Sequence, residues 1–494
     1  MTPAAKKVVI IGGGISGLTA AFRLSRLSAD NPVEISLIEA GSRFGNVIQT
    51  ESVDQCLIEC GPDNMLTAKP WGVNLMKELG MEEQILETDE TNRRAFIADV
   101  DGLLPMPEGF RLIAPANIAA LAASPCLSIW GKLRAIAEPL IPRHERMSAG
   151  VLPEDYDESL TSFVTRRLGK EALERLAQPL FSGIYTADPD TLSVRATMPQ
   201  FLEYEAQYGS VIRGLKAGAK NGSQTEAVRY SMFIAPERGM GSLVDALLEQ
   251  LRHDKRVSLR TDMRVSSLHF KQDEKQWRVG LADQSTVDAD AIVLCLPAYG
   301  AANLLRDTDS RVSELLASIK YASAAVINFI VERDKILHPL NGFGFVVPAQ
   351  LRKNILAGSF SSVKFKRRAP ENLTILRAFV GGALFPEMLE LSDARIRDLA
   401  FADLSFYLSI VSPKRGLPYR EAIVTRWIDS MPQYRVGHGS VVREIERRVD
   451  GLAGAFLCGA AYEGVGIPDC IRNANQAAEA AHRSLFSGVS QTAI

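Results

Sequence analysis

Cysteine is scarce in this sequence: the 494 residues contain six, and no two of them form a CxxC pair. So few cysteines in a chain of this length cannot supply a disulfide framework. No histidine cluster accompanies them, and the spacing of Cys56 and Cys60 matches no known zinc motif. We therefore expect buried free thiols, a reducing compartment and no bound metal.

An excess of charge of either sign is also absent. The 56 Lys and Arg residues nearly balance the 58 Asp and Glu residues, which leaves a formal net charge of −2. Such a chain has no overall field that would attract nucleic acid, so any anionic ligand must be bound locally. Hydrophobic residues make up 46% of the chain and charged residues 23%, which is typical of a globular protein.

Long hydrophobic segments are missing where an export signal or a membrane span would need one. The apolar run at 8–11 is too short for a signal peptide, and glycines follow it at once. The stretch 112–131 lacks charge, but Pro115 and Pro125 interrupt it. We expect short helices there, buried or lying at a membrane surface, in a cytoplasmic protein attached to membranes peripherally if at all.

A nucleotide-binding signature lies near the N-terminus. The apolar strand at 8–11 leads into Gly12-Gly13-Gly14-Ile15-Ser16-Gly17 and then into a helical pattern. Gly12 permits the tight turn, Gly14 lets the backbone approach a pyrophosphate, and Gly17 lets the helix pack on the strand. Glu39 ends the second predicted strand, about 20 residues further on, where a carboxylate can bind ribose hydroxyls. This order of elements favours a dinucleotide site over a chance glycine-rich turn.

The residues after Glu39 make the prediction more specific. Ala40-Gly41-Ser42-Arg43-Phe44-Gly45 resembles the continuation seen in flavoproteins of the glutathione-reductase and amine-oxidase type, with Asn46 in place of their second glycine. The resemblance implies FAD, with Arg43 near its diphosphate or ribityl chain. Near the C-terminus a predicted strand precedes Gly464-Val465-Gly466-Ile467 and a helix. The N-terminus of that helix would stabilise negative charge on a reduced flavin.

Several further stretches resemble one family, the oxygen-dependent, FAD-containing porphyrinogen oxidases of haem synthesis. The matching stretches extend from residue 8 to residue 481 and are ECGPD at 59–63, FSGIYTADPDTLS at 181–193, APERGMG at 235–241, FKRRAP at 365–370 and PQYRVGH at 432–438. The resemblance implies an α/β fold in which a Rossmann-like FAD-binding domain of the glutathione-reductase/amine-oxidase type carries an α+β substrate domain and a helical insert. The predicted segments are 1–90, 232–300 and 425–494 for the FAD-binding domain, 207–231 and 301–424 for the substrate domain, and 91–206 for the insert, which contacts membranes in the family.

Carried over position by position, the resemblance implies cofactor contacts in several separate segments. They are Gly12–Gly17, Glu39, Ala40, Arg43, Val47, Gly61, Pro62, Asp63, Asn64, Val265, Trp427, Val465, Gly466 and Ile467. A contact at Val265 would come from its backbone. Core packing is the alternative explanation for Val265 and Trp427.

The implied reaction is oxidation of protoporphyrinogen IX or coproporphyrinogen III to the porphyrin. A hydride leaves a meso carbon for the flavin, an N–H proton departs, and molecular oxygen reoxidises the flavin with release of hydrogen peroxide. The sequence contains no nucleophile motif and no paired carboxylates at a motif spacing, which agrees with chemistry centred on a cofactor. We assign no side chain as a general base.

The substrate is an apolar macrocycle with propionates, so its pocket should be aliphatic and aromatic with basic residues at the rim. Arg93 and Arg94 stand where the family places a propionate-binding arginine, and a solvated basic pair is the alternative. Gly183 is expected to line the pocket with its backbone, and Phe343 to stack on the ring or pack in the core. The basic run at 364–368 is a further candidate carboxylate site, although charge runs are usually solvated.

Two alternatives share this fold. Another flavoenzyme, such as an amine oxidase or a carotenoid desaturase, would not explain the FSGIY and PQYRVGH stretches. A binding protein like the GDP-dissociation inhibitors would perform no flavin chemistry and could lose the pyrophosphate glycines, which are intact here. The sequence leaves open which porphyrinogen is used and whether the chain forms a homodimer.

Overall fold

A computed structural model describes residues 5–28, 32–220, 230–412 and 416–486 of the chain. Residues 221–229, part of the segment 207–231 predicted for the substrate domain, lie outside the described residues. The strands are β1 (Lys6–Ile11), β2 (Val33–Ile38), β3 (Thr50–Val53), β4 (Cys56–Glu59), β5 (Met65–Leu66), β6 (Ile85–Glu87), β7 (Ala95–Asp99), β8 (Gly102–Pro105), β9 (Phe110–Arg111), β10 (Ala114–Pro115), β11 (Phe233–Pro236), β12 (Val257–Arg260), β13 (Val265–Lys271), β14 (Gln276–Leu281), β15 (Thr286–Ala289), β16 (Ala291–Leu294), β17 (Tyr321–Glu332), β18 (Gly344–Val346), β19 (Ala357–Phe360), β20 (Leu373–Gly381), β21 (Glu421–Pro432) and β22 (Ala455–Leu457). The α-helices are α1 (Ile15–Leu27), α2 (Trp71–Glu78), α3 (Ile118–Ala123), α4 (Ile129–Ile136), α5 (Leu160–Leu168), α6 (Lys170–Ala172), α7 (Gln178–Tyr185), α8 (Val194–Thr197), α9 (Pro199–Tyr208), α10 (Val211–Lys220), α11 (Gly241–His253), α12 (Ala298–Leu305), α13 (Ser310–Ser318), α14 (Ser361–Lys364), α15 (Asp393–Leu408), α16 (His438–Val449) and α17 (Ile467–Phe486).

A parallel sheet is assembled from both ends and the middle of the chain. In the described residues its strand order is β12-β2-β1-β16-β22, and every neighbouring pair is parallel. Helices α1, α11 and α17 pack on one face, and α12, α13 and α16 pack on the other. Cover on both faces explains why β1 is an uninterrupted apolar run at 8–11. The predicted α/β fold is confirmed.

A second, largely antiparallel sheet packs against β4. Its strand order within the described residues is β21-β17-β20-β19-β18-β7-β8, and only β18 and β7 are parallel neighbours there. One face shares an apolar core with α15. The other face carries Asn328 and Arg377, which stand opposite each other in the register of β17 and β20. Strands β7 and β8 come from the segment 91–206, so this segment is not helical throughout.

Helices α3 to α10 enclose a third apolar core, crossed by a buried ionic network. Glu138 and Arg167 are completely buried, and Arg167 donates to the Glu138 carboxylate from Nε at 2.8 Å. The same carboxylate accepts the Val211 N–H at 2.9 Å, at the first residue of α10. This carboxylate therefore satisfies a buried guanidinium and the N-terminus of a helix together.

The uncharged stretch 112–131 contains α3 and the start of α4, which are short helices as predicted. Asn117 and Ser128 cap these helices with their side chains, which accept N–H groups of the first turn. In the part of the chain that the structure describes, we find no helix long and apolar enough to cross a bilayer.

Candidate functional site

The turn from β1 into α1 is formed by the predicted residues Gly12–Gly17, and glycine is required at both ends of it. Gly12 has φ of +106°, and a Cβ there would lie 2.4 Å from the Cys295 carbonyl oxygen. A Cβ on Gly17 would lie 1.8 Å from the Gly12 oxygen. At Gly14, by contrast, the nearest atom to an added Cβ would be Asn46 Cβ at 4.0 Å. The helix end therefore presents N–H groups to an open space, as a phosphate ligand requires.

Glu39 lies beside this turn at the end of β2. Its two carboxylate oxygens accept the backbone N–H groups of Gly13 and Gly41, each at 2.7 Å. Ala40, between Glu39 and Gly41, is exposed. The carboxylate is thus fixed next to the glycine turn, where the sequence predicted a ribose contact.

Val265 follows a backbone segment that approaches Glu39. The Met263 N–H donates to the Glu39 carbonyl oxygen at 3.0 Å. Val265 itself is buried at the first position of β13, opposite Leu281. The structure therefore places the strand next to the predicted ribose site, and a direct cofactor contact from Val265 stays a prediction.

Arg43 contacts the loop that follows it. Its guanidinium donates to the Asn46 and Ile48 carbonyl oxygens, the latter at 3.0 Å. Asn46, which replaces the family's second glycine, has φ of +49°, a left-handed conformation that asparagine tolerates better than most residues. The Gly45 N–H donates to the Gly13 oxygen at 2.8 Å, which holds the loop against the glycine turn. The substitution at 46 therefore keeps the required backbone shape.

The segment 59–61 is held by three side chains from the second sheet. Asn328 donates to the Glu59 carbonyl oxygen at 3.1 Å, Trp427 Nε1 to that of Cys60 at 3.0 Å, and Arg377 to that of Gly61 at 2.7 Å. Gly61 also packs on the preceding loop, because its Cβ would lie 1.9 Å from the Val47 oxygen. Gly61 is thereby connected through Val47 to the glycine turn.

Asn328 and Arg377 were not singled out from the sequence. Each is a polar residue inside an apolar strand, in AAVINFIV and LTILRAFV, and both are buried. A buried polar side chain must find a partner. That interruption of an apolar run was the available signal.

Asp63 lies within a buried ionic cluster. Its carboxylate is 3.5 Å from Lys364 Nζ and 3.4 Å from Arg377 Nη1, and it accepts a hydrogen bond from Asn64. Burial alone would raise the pKa of Asp63, but the two cations outweigh it and hold the pKa at about 2. Burial lowers the pKa of Lys364. The neighbouring Pro62 is half-buried.

The basic run at 364–368 does not form one carboxylate-binding face. Lys364 and Arg368 are buried, and Arg368 donates to the Pro236 carbonyl oxygen at 3.0 Å. Lys366 and Arg367 are exposed. Two of these basic side chains are therefore buried and two are exposed, and the hypothesis of a shared carboxylate site on this run is wrong.

The turn before α17 contains the predicted contacts Val465, Gly466 and Ile467. Gly464 has φ of +107°, and a Cβ there would lie 2.5 Å from the Asp469 carboxylate. Val465 and Gly466 are half-buried, whereas Ile467 is buried as the first residue of the helix. The turn thus closes tightly on the first turn of α17.

The predicted substrate residues lie at the two ends of β18, with Gly183 beside its last residue and Phe343 and Arg94 beside its first. A Cβ on Gly183, in α7, would lie 3.6 Å from Ala357 Cβ and 3.7 Å from Val346 Cγ1. The Phe343 N–H donates to the Arg94 carbonyl oxygen at 2.8 Å. The side chains of Arg93 and Arg94 are exposed, and Arg93 pairs with a nearby glutamate, Glu90, at 3.3 Å.

The Gly183 end of β18 and the turn before α17 border the same apolar core. Tyr185, Val346 and Val465 are partly buried and pack against the same apolar cluster. Two of these residues border Gly183, in α7 and β18, and the third belongs to the predicted cofactor segment. Of the predicted substrate residues, Gly183 is therefore the one whose neighbours share an apolar core with the predicted cofactor segment.

The six cysteines are free thiols, five of them buried. Cys295 and Cys458, which follow β16 and β22, have their Sγ atoms 3.3 Å apart. Among the residues that the structure describes, we find no group of three or more His, Cys, Asp or Glu side chains that could hold a metal ion.

Comparison with known proteins identifies the family. A model described as flavin containing amine oxidoreductase matches residues 15–482. Coproporphyrinogen III oxidase from Bacillus subtilis (strain 168) is 33% identical over 492 residues, covering 99% of this chain and 100% of that protein. The Staphylococcus aureus protein of the same name is 30% identical over 480 residues, covering 96% and 98%. A crystal structure from Exiguobacterium sp. 255-15, provisionally assigned as a protoporphyrinogen oxidase, superposes with a TM-score of 0.82 at 29% identity and covers 97% of this chain and 98% of that one. The chain therefore belongs to the flavin-containing amine oxidoreductase family.

Proposed function

We propose that this protein oxidises a porphyrinogen to the porphyrin, with FAD as its cofactor and molecular oxygen as the electron acceptor. We propose further that the substrate is coproporphyrinogen III. The observation that carries the proposal is the match, over nearly the whole chain, to two proteins named coproporphyrinogen III oxidase, at 33% and 30% identity. The agreement of this match with the FSGIYTADPDTLS and PQYRVGH stretches supports it.

The residues of the β1–α1 turn suit the diphosphate of FAD. Gly14 leaves an open space at the N-terminus of α1, and Glu39 holds its carboxylate beside it. The helix end supplies unpaired N–H groups and partial positive charge for the phosphates, and the carboxylate supplies an acceptor for ribose hydroxyls. Arg43 would act on FAD indirectly, by holding the loop 43–48 in place.

The chemistry that FAD supplies when bound is acceptance of a hydride and transfer of two electrons to oxygen, which yields hydrogen peroxide. The protein contributes binding, orientation and exclusion of water. Tyr185, Val346 and Val465, each half-buried against one apolar core, would offer apolar side chains to the macrocycle. The exposed guanidinium groups of Arg93 and Arg94, at the other end of β18, would be available to bind propionates. Coproporphyrinogen III has four propionates to bind.

Anaerobic mixing tests the reaction directly. The purified, FAD-loaded protein is mixed without oxygen with coproporphyrinogen III or protoporphyrinogen IX while the flavin absorbance near ~450 nm is followed. Air is then admitted, and porphyrin fluorescence and hydrogen peroxide are measured. We expect coproporphyrinogen III to bleach the flavin faster and to give fluorescence and peroxide on aeration.

Other outcomes separate the alternatives. Faster bleaching by protoporphyrinogen IX would overturn the substrate assignment and leave the reaction class intact. A flavin that stays oxidised with both porphyrinogens but is bleached by an amine would assign the chain to amine oxidation. A colourless protein that cannot be loaded with FAD would indicate a binding protein.

We also propose that α4 and the residues after it rest on a bilayer surface. Ile129, Trp130, Leu133 and Leu140 are exposed by 73%, 80%, 55% and 81%. Neighbouring exposed aliphatic side chains with a tryptophan among them suit the boundary between headgroups and acyl chains. Supporting evidence is this exposure within a segment that contacts membranes in the resembling family.

Sedimentation with vesicles of phosphatidylcholine and phosphatidylglycerol tests the membrane proposal. We expect the wild type to sediment with the vesicles and Trp130→Ser to stay in the supernatant. The control is Leu337→Ser, because Leu337 is exposed by 69% and lies outside α3 to α10. A wild type that remains in the supernatant, or a control that loses as much binding as Trp130→Ser, would contradict the proposal.

A further inference from the structure

Tyr434, in the PQYRVGH stretch, contacts the turn before α17; this turn comprises residues 460–466. The tyrosine is 2% exposed, and its hydroxyl donates to the Ala460 carbonyl oxygen at 2.6 Å. The same hydroxyl accepts the Gly464 N–H at 2.7 Å. Burial raises the pKa of Tyr434 well above its usual range, so the hydroxyl keeps the proton that it donates. One hydroxyl therefore connects Ala460 and Gly464, two residues of this turn.

His438 holds Tyr434 and the middle of the same turn. Its ring stacks on the Tyr434 ring, with centroids 4.1 Å apart and planes at 14°. Its Nε2 lies 3.0 Å from the Tyr462 carbonyl oxygen. Because a carbonyl oxygen can only accept, Nε2 carries the proton in this contact. Burial lowers the pKa of His438, which favours the neutral form of the ring.

The segment 91–206 also contacts the residues around Tyr434 and His438. The Gly437 N–H donates to the Asp157 carboxylate at 2.8 Å, and the same carboxylate accepts the Ser193 hydroxyl at 2.7 Å. Tyr434 and His438 are thus fixed between the segment 91–206 and the turn. Three backbone groups of the turn, on Ala460, Tyr462 and Gly464, are satisfied by these two side chains.

We propose that Tyr434 is a positioning residue. Through the turn before α17 it fixes the position of residues 464–467 relative to the flavin, and His438 holds Tyr434 in place. The proposal rests on the FAD site of the proposed function, since Val465–Ile467 are its predicted contacts. The N-terminus of α17 carries partial positive charge, whose effect on a flavin depends steeply on distance. A site displaced by about 1 Å loses much of its effect. Tyr434 therefore acts on the cofactor through the backbone of the turn.

Two conservative variants separate positioning from packing. Tyr434→Phe keeps the ring and leaves the Ala460 oxygen and the Gly464 N–H without their partner. Tyr462→Phe is the matched control, because Tyr462 is also buried and, within the described residues, its hydroxyl has no hydrogen-bond partner. The measurements are the Kd for FAD, by fluorescence quenching on deflavinated protein, the midpoint potential of bound FAD, and the Tm of the FAD-free protein.

We expect Tyr434→Phe to raise the Kd for FAD about tenfold, which corresponds to about 1.4 kcal/mol, because the turn loses both hydrogen bonds of the hydroxyl. Its midpoint potential should become more negative than that of the wild type, because the helix N-terminus stabilises the reduced flavin less. Tyr462→Phe should match the wild type in both. His438→Ala should show part of the Tyr434→Phe effect. In His438→Gln the amide can donate to the Tyr462 oxygen, so the Kd for FAD and the midpoint potential should return most of the way to the wild-type values.

The proposal is overturned if Tyr434→Phe and Tyr462→Phe share one Kd for FAD and one potential, even if Tyr434→Phe has a lower Tm. That result would make Tyr434 a packing residue only. None of these measurements uses a porphyrinogen. A protein that binds FAD with the expected variant pattern but oxidises neither porphyrinogen would refute the proposed function and leave the role of Tyr434 standing.

Discussion

The glycine turn allows a test in which cofactor binding and folding respond differently to the same substitution. Gly14 has φ of −71° and ψ of −175°, which alanine adopts without strain, and the nearest atom to its Cβ would be 4.0 Å away. We therefore expect Gly14→Ala to leave the stability of the FAD-free protein within about 0.5 kcal/mol of the wild type. The methyl group would instead occupy the space in which a phosphate approaches the helix N-terminus.

The expected loss of affinity follows from the hydrogen bonds that a phosphate would make there. A hydrogen bond to a charged group contributes about 1.5–3 kcal/mol. Loss of one such bond corresponds to an increase of about ten- to a hundredfold in the Kd for FAD, at about 1.4 kcal/mol per tenfold. Titration of deflavinated protein with FAD, followed by fluorescence quenching, measures this change.

Gly17→Ala is the matched control with the opposite pattern. Its Cβ would lie 1.8 Å from the Gly12 carbonyl oxygen, a backbone atom that can move only if α1 shifts against β1. We expect the stability of the FAD-free protein to fall by about 1–3 kcal/mol, seen as a lower Tm by circular dichroism. If Gly14→Ala binds FAD as tightly as the wild type, or if Gly17→Ala is as stable as the wild type, the reasoning from this turn is refuted.

Two further predictions concern buried charge. Glu138→Ala removes the acceptor of Arg167 Nε and of the Val211 N–H, and leaves the buried guanidinium beside the more distant Glu205 carboxylate, 3.5 Å from Arg167 Nη1. We expect the stability to fall by about 3–5 kcal/mol, measured as a lower urea midpoint, whereas Arg278→Ala in an exposed ion pair should shift the midpoint far less; equal shifts would contradict this. Lys364 and a second buried cation hold the pKa of Asp63 at about 2 against an ordinary 3.8, so its ionised form stabilises the fold above that ordinary value. The stability difference between the wild type and Asp63→Asn should thus stay constant from neutral pH to about pH 5 and shrink as the pH falls towards 2; a difference that stays constant down to pH 2, or that grows as the pH falls, would show that this pKa is not depressed.

Much of the fold could be predicted because its signals are local. The strand predicted at 8–11 and the helical pattern after the glycines are β1 and α1, and the short helices expected in 112–131 are α3 and α4. The strands β7 and β8 were missed because Ala95–Pro105 is short and lies beside prolines, and these strands gain their hydrogen bonds only from β18 and from each other. Tertiary pairing decided their conformation.

The candidate site divides in the same way. Gly12–Gly17 and Glu39 could be predicted, because the turn and the carboxylate belong to one short unit of strand, turn, helix and strand. The role of Trp427 could not, since it donates to Cys60, 367 residues away, through the register of β21. The basic run at 364–368 was misjudged as one surface because a sequence does not show which of its side chains are buried.

The sequence by itself determined the glycine turn and the alternation of strands and helices, because turn chemistry and hydrophobic period act over a few consecutive residues. The flavin cofactor and the family followed from the resemblance of its motifs to those of known flavoproteins. Only the tertiary structure decided which buried polar groups meet. Arg377 and Gly61 are 316 residues apart. Their 2.7 Å hydrogen bond exists because the sheet that contains β20 packs on the residues that follow β4. Likewise, PQYRVGH identified the family, but the contact of Tyr434 with the turn before α17 follows from the packing of distant segments. Such contacts depend on register and packing, to which no local pattern corresponds.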